Sequence, residues 1–320
     1  MRRQTKVLAV LAAFALLGAA CGDDDDSDDA SGSASGSDSA SADIPDGPTI
    51  TVGGQDFGES LILTEIYAGA LDNAGYETGT QDLGGFRELV FSAFESDEIN
   101  LAPDYVASQL EFLNDGAGQA TSDVTETFDL LTPLLEERGL VGGTPSDAVD
   151  TNAFVITEET SDELGITTLS DLASKGADLT LGAPPDCETN GFCIPGLQRV
   201  YGVDFTAGFT PLDFGVIPDA LDEGEIDVGV VGSTDGRLAD ESTGWVLLED
   251  DQQMLAADNV FPVASAEVAE AYGDSLSSVL DDVSAALTTE GLVELNRRYD
   301  VDREDADTIA ADWLEENELS

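Results

Sequence analysis

Two stretches of this chain repeat one pattern, and the repetition limits the folds open to it. "AFESDEINLAPDYVAS" from Ala93 and "ALDEGEIDVGVVGST" from Ala220 each pass from a helix end through an acidic turn to Glu-Ile-Asn/Asp, an apolar strand and a small polar loop. One such strand-loop in each half is what two similar lobes facing a single cleft require. Around them, short apolar strands alternate with amphipathic helices. "TITV" (49–52) reads as a strand and "GGQDFGES" as a Gly-rich turn; the next run is a helix with Leu61, Ile62, Ile66 and Ala70 on one face, stopping at Gly75. A second strand from about Tyr76 to Leu83 leads to Gly84-Gly85, then to a helix expected to turn Phe86, Leu89, Val90, Ala93 and Phe94 inward, then to a strand with its loop at 98–106. This βαβα order predicts doubly wound α/β lobes, whose ligands sit beyond the carboxyl ends of the strands.

The roughly 270 residues from Pro48 onward suffice for two compact lobes. What precedes them reads as an address. Met1-Arg2-Arg3 is followed by an apolar run from Val7 to Ala20, with small residues at Gly18-Ala19-Ala20, and then Cys21, the order of a bacterial secretory signal (1–20) that ends in a lipid-modified cysteine. The run is short for a membrane span of about 20 residues; a signal cleaved without lipid or a retained anchor is the alternative, because Gly18 stands where such signals more often carry Leu. Residues 21–47 are mostly Asp, Ser, Gly and Ala, too poor in apolar surface to offset chain entropy, and are expected to form a disordered acidic leash. Asp23 to Asp26 lack the alternating oxygens of a calcium loop.

Removing Arg2, Arg3 and Lys6 with the leader leaves 8 of the 11 basic residues against 67 acids, a formal charge of −59. That balance excludes nucleic acid as a partner, because phosphate neutralisation needs clustered Lys and Arg. It favours cations over anions as guests. The chain has no histidine, which removes Ser-His-Asp and Cys-His hydrolysis and His-ligated zinc. No catalytic constellation, metal site or cofactor is expected, and the chain reads as a binder and not an enzyme. Outside the cytoplasm Cys187 and Cys193, closing the loop "ETNGF", are expected to form a local disulfide; a metal pair would lack partners. Gly84-Gly85 and Ser233-Thr234 stand where backbone amides and hydroxyls of the two strand-loops would face the gap.

At this point the chain resembles the substrate-binding proteins of ABC importers for glycine betaine, carnitine, choline and related osmolytes. The resemblance is carried in order by "ITVGGQDFGESLILTEIYAGAL", "EINLAPDYVAS", "ITTLSDLASKG", "IPGLQRVYGVDF", "EIDVGVVGSTDGRLAD", "WVLLEDD", "FPVASAEVAEAYG" and the terminal "LVELNRRYDVDREDADTIAADWLEENEL". It implies a type II periplasmic-binding-protein fold: lobe 1 from 48–150 and 260–320, lobe 2 from 151–259 with the return hinge, and two hinge strands that permit closure on a small solute. The partners it implies are the osmolyte, an ABC permease and its ATPase, with membrane attachment through the lipid on Cys21 alone, on the outer face of the cell membrane. A surface lipoprotein of the same fold without a ligand is the alternative, and would carry a collapsed or filled cleft.

The resemblance also implies site residues. Such proteins enclose a quaternary ammonium in aromatic rings, each contributing about 0.5 to 2 kcal/mol of cation–π attraction. Tyr105 matches the second tyrosine of the family's Tyr-Pro-Glu-Tyr motif and Ser108 its later threonine, while Ala102 replaces the first tyrosine. Gln55 stands where a lysine is usual, and Asn152 falls near an expected ring. Phe57, Phe86 and Phe154 are candidates for replacement rings. Asp56 and Asp235 are candidate partners for a cation, Asp235 being better suited to cap the turn in "STDGR".

Overall fold

A computed structural model describes residues 44–176 and 178–320. The leader, Cys21 and most of the leash therefore lie outside the described residues. Ten strands form two five-stranded sheets. The first holds β1 (Ile50–Gly54), β2 (Thr78–Asp82), β3 (Leu101–Tyr105), β4 (Leu140–Gly142) and β10 (Val260–Ser265), in the order β2-β1-β3-β10-β4. The second holds β5 (Asn152–Thr157), β6 (Leu181–Ala183), β7 (Phe209–Pro211), β8 (Val228–Gly232) and β9 (Trp245–Leu247), in the order β7-β6-β8-β5-β9. In both sheets three strands run parallel, and the fourth position is filled antiparallel by the strand that has just crossed from the other lobe, β10 in one and β5 in the other.

Helices cover both sheets. Around the first lie α1 (Gly58–Ala74), α2 (Arg87–Glu95), α3 (Val106–Leu113) and α4 (Val124–Glu136). Around the second lie α5 (Glu158–Leu164), α6 (Leu169–Lys175), α7 (Ile194–Gly196) and α8 (Ile217–Asp222). After β10 the chain adds α9 (Ala266–Tyr272), α10 (Asp274–Ala286), α11 (Thr289–Asn296) and α12 (Ala306–Glu316). The buried face of α1, with Ile62, Ile66, Tyr67 and Leu71, packs with Leu280, Ile309 and Trp313 of these last helices into one core. The helix stops where predicted: Gly75 takes a left-handed φ of 103°, and Tyr76 N–H bonds back to Leu71 O at 3.0 Å. None of the described helices is long and apolar enough to cross a membrane.

The repeated pattern has one structure in both sheets. Ala93 O accepts from Glu98 and Ile99 at 2.9 and 3.3 Å, and Ala220 O accepts from Glu225 and Ile226 at 2.8 and 3.3 Å. The left-handed residue that each tight helix exit needs is Asp97 (φ 56°) in one and Gly224 (φ 71°) in the other. Asn100 then fastens the neighbouring parallel strand by accepting from Thr51 N–H at 2.8 Å, and Asp227 does so by accepting from Thr180 N–H at 2.8 Å. Ile99 and Ile226 lean over glycines of the next strand, where an added Cβ would stand 2.6 Å from Ile99 at Gly53 and 2.4 Å from Ile226 at Gly182.

One sequence expectation is corrected in α2. Its inward residues are Val90, Phe91 and Ala93, whereas Phe86 is 71% and Leu89 44% exposed. The helix begins at Arg87, whose guanidinium turns in to meet Asp104 at the end of β3. That pairing rotates the preceding phenylalanine out.

Candidate binding cleft between the lobes

Two crossing segments join the sheets and run antiparallel beside each other. Val149 pairs with Asn259, Val260 N–H bonds Ala148 O at 2.9 Å, and Asp150 N–H bonds Asp258 O at 3.1 Å. Their side chains floor a cavity of about 910 Å³. Lobe 1 contributes Gln55, Phe57, Arg87, Tyr105 and Ser108 to its wall, and the crossing segments contribute Asp150, Thr151 and Asp258, followed by Asn152 at the start of β5. Lobe 2 contributes Asp186, the loop Thr189 to Phe192, Arg199 and Phe214. The aromatic surface thus comes from both sides, Phe57 and Tyr105 from one and Phe192 and Phe214 from the other. Phe57 stacks on Tyr105 with ring centroids 6.3 Å apart and planes inclined by 27°.

Tyr105 ends β3 and is 6% exposed, belonging at once to the core beneath and to the cavity wall. Its hydroxyl points inward and donates to Glu59 Oε1 at 2.6 Å, while Asn296 Nδ2 donates to Glu59 Oε2 at 2.6 Å. Ser108, in the first turn of α3, donates its N–H to Asp258 Oδ1 at 2.8 Å and its hydroxyl to Oδ2. Arg87 is held by Asp104 through Nε (3.1 and 3.2 Å) and Nη2 (2.8 Å), a two-nitrogen fork on one carboxylate.

The floor is rich in acids that burial disfavours as anions. Burial raises Asp150 well above the ordinary carboxylate range, and the charges of Glu59 and Asp258 push it in the same direction. Burial lifts Asp258 to about 6, against the pull of the two Ser108 hydrogen bonds. Glu59 is raised by burial although Tyr105, Thr234 and Asn296 hydrogen-bond to it. Around Arg87, burial opposes the charge, but the charge and hydrogen bonds of Asp104 outweigh it and keep the guanidinium protonated.

The disulfide joins Cys187 to Cys193 with Cα atoms 5.1 Å apart. Both cysteines are buried in the lobe 2 core, and the loop they close carries the wall on that side. Within it Phe192 N–H bonds Asn190 Oδ1 at 2.9 Å, Phe192 O accepts from Asn152 Nδ2 at 3.2 Å, and Gly191 O accepts from Arg199 Nη2 at 3.1 Å.

Of the residues singled out from sequence, Gln55, Phe57, Tyr105, Ser108 and Asn152 line the cavity together. Asp56 is exposed and outside its wall. Gly84 and Gly85 also stand outside it, because β2 is the edge strand and its terminal turn lies away from the cleft formed at the central β1 and β3. Ser233 and Thr234 are corrected too. Ser233 accepts from Thr151 N–H at 2.9 Å and donates to Val149 O at 3.0 Å, so it fastens a crossing segment. Thr234 is buried under lobe 1 helices, its carbonyl accepting from Asn296 Nδ2 at 2.8 Å. Asp235 caps the following turn and pairs with Arg237 at 2.6 Å, while Phe154 is 1% exposed in the lobe 2 core. Phe86 lies outside the wall. Sequence reasoning missed Arg87, Asp150, Phe192, Arg199, Phe214 and Asp258. The position of Phe192 inside the predicted cysteine loop was the one available signal.

Residues 48–316 match the family described as the substrate binding domain of the ABC-type glycine betaine transport system. The chain belongs to this family. It is 29% identical to the glycine-betaine-binding protein of Pseudomonas aeruginosa over 87% of this chain and 91% of that one. It is 23% identical to the glycine betaine-binding protein YehZ of Escherichia coli over 83% and 90% of the respective chains. Among solved structures, a glycine betaine/carnitine/choline ABC transporter protein superposes with a TM-score of 0.74 at 21% identity, covering 84% of this chain and 99% of that chain. Apo YehZ from E. coli superposes with a TM-score of 0.69 at 22% identity over 85% and 99%. The fold is accordingly the type II periplasmic-binding-protein fold, two mixed sheets with flanking helices. Family members are extracytoplasmic substrate-binding components of ABC importers.

Proposed function

We propose that this chain captures a small quaternary-ammonium or related cationic or zwitterionic osmolyte, of the betaine, choline or carnitine type, between its two lobes and delivers it to an ABC permease driven by a partner ATPase. The observation that carries the proposal is the cavity of about 910 Å³ at the crossing segments, walled by Phe57 and Tyr105 from one side and Phe192 and Phe214 from the other. Aromatic faces attract an alkylated cation that has no N–H to offer a hydrogen-bond acceptor. Lobe 1 is taken as 48–150 with 260–320 and lobe 2 as 151–259, a division supported by the membership of the two sheets. Closure then rotates one lobe about the segments at 148–151 and 258–260. The order of leader and Cys21 in the sequence supports attachment to the outer face of the cell membrane through a lipid, with the acidic leash as tether. A ligandless surface module would have a filled cleft, and the open cavity favours the receptor.

A calorimetric screen of the exported protein against glycine betaine, choline, carnitine, ectoine, proline and polyamines tests the proposal. Saturable binding of at least one quaternary amine is expected. No binding to any of them would turn the assignment to the ligandless module.

A further inference from the structure

Resting on that function, we infer that the cleft selects a monocation lacking a carboxylate, of the choline type, over the zwitterion that differs from it by carrying one. The lobe 1 wall carries two hydroxyls suited to grip a carboxylate by donating a proton, those of Tyr105 and Ser108, beside the amide of Gln55, which offers acceptor and donor alike. Both hydroxyl protons are already given away. Tyr105 donates to Glu59 Oε1 at 2.6 Å, and Ser108 donates hydroxyl and backbone N–H together to Asp258. Each hydroxyl therefore has only acceptor capacity left for the cavity. The Tyr105 ring, its hydroxyl bonded to a carboxylate, offers an electron-rich face suited to a cation.

The charges point the same way. Arg87 is the basic residue of the lobe 1 wall, and its Nε and Nη2 are both held by Asp104. With that pair neutral overall, the remaining ionisable wall is Glu111, Asp150, Asp186 and Asp258 against Arg199. Arg199 is exposed, and one of its nitrogens is bonded to Gly191 O. Asp150 and Asp258 floor the cavity from the two crossing segments, so a ligand enclosed by lobe closure is pressed against them. A cationic headgroup is welcome there. A cation draws Asp150 and Asp258 toward the ionised form that burial opposes, whereas a carboxylate on the same small molecule gives them no such help and is repelled by whichever of them is ionised.

Choline and glycine betaine differ only in a terminal hydroxymethyl against a carboxylate, which makes them the probes. Titration calorimetry of the full-length protein at pH 7.5 is expected to show choline binding at least about tenfold more tightly than glycine betaine, a difference of about 1.4 kcal/mol. In Asp150→Asn the preference should shrink to about threefold or less, with betaine affinity kept or improved. Asp258→Asn serves as a second variant should the first fail to fold. Betaine binding as tightly as choline to the wild type, or an undiminished preference in the folded variants, overturns the inference and leaves the receptor function standing. Binding of neither probe or any other quaternary amine overturns both.

Discussion

The strand-loops ending in Tyr105 and in Gly232 start identically and finish differently. From Ala93 and from Ala220 an alanine carbonyl closes the helix, a left-handed residue follows (Asp97 or Gly224), an isoleucine covers a glycine, and Asn100 or Asp227 fastens the parallel neighbour. Beyond the strands the two part. β3 and the first turn of α3 deliver Tyr105 and Ser108 to the cavity wall, each tied to a buried carboxylate, while Asp104 holds the wall residue Arg87 from behind. β8 delivers Gly232 alone to the wall, and its loop turns away to pack Thr234 and Gly236 against α11 and the chain beyond it. Local repetition thus sets the scaffold twice, while the loop residues decide what each strand-loop presents to the cavity. Lobe 2 supplies its specific surface from elsewhere, on the disulfide-closed loop bearing Phe192.

The sharpest way to break this comparison lies in the two Asp–Arg pairs, one at the end of β3 and one just past β8. Asp104 is 3% exposed and Arg87 17%, so Asp104→Ala strands a largely buried guanidinium and is expected to cost about 3 kcal/mol in chemical denaturation. The Asp235–Arg237 pair is more open, with Arg237 at 37%, and solvent screening limits the cost of Asp235→Ala to under about 2 kcal/mol, mostly its lost cap. Equal losses in the two lobes would show that the difference between the loops has no energetic content.

A second test uses pH. Burial raises Asp258 from 3.8 to about 6, so the folded protein binds its proton more tightly than the unfolded chain does. Between those values the native state holds more protons, and stability from this group rises as pH falls through 6 toward 4. A shift of that size is worth roughly 3 kcal/mol. Wild-type stability measured at pH 7 and pH 5 should therefore rise more steeply on acidification than that of Asp258→Asn. Parallel profiles would mean that the hinge floor holds its carboxylate without penalty.

The fold was largely legible because strands and helices are written in short-range patterns. Gly75 stops α1, and the twin Glu-Ile-Asn/Asp motifs mark the equivalent central strands β3 and β8. The site was less so, since a cleft is made of residues far apart in sequence. Tyr105 was open to two readings from sequence, ligand contact or packing, and the structure gives it both surroundings. Asp150 and Asp258 sit in linking segments with no periodicity to read, and only the antiparallel approach of those segments brings them together. Ser233 and Thr234 misled because their motif matches the cavity-facing loop of lobe 1, while their partners come from distant parts of the chain, Val149 and Thr151 for Ser233 and Asn296 for Thr234.

The central claim, that a quaternary ammonium is held by rings from both lobes, is tested most directly by truncating one ring on each side. Phe57→Ala and Phe192→Ala should each weaken choline binding in titration calorimetry by about 1 to 2 kcal/mol, one aromatic face apiece, with the unliganded melting temperature of Phe57→Ala nearly unchanged because that ring is 39% exposed. Weakening by Phe57→Ala with none by Phe192→Ala would confine the ligand to lobe 1 and contradict capture between the lobes.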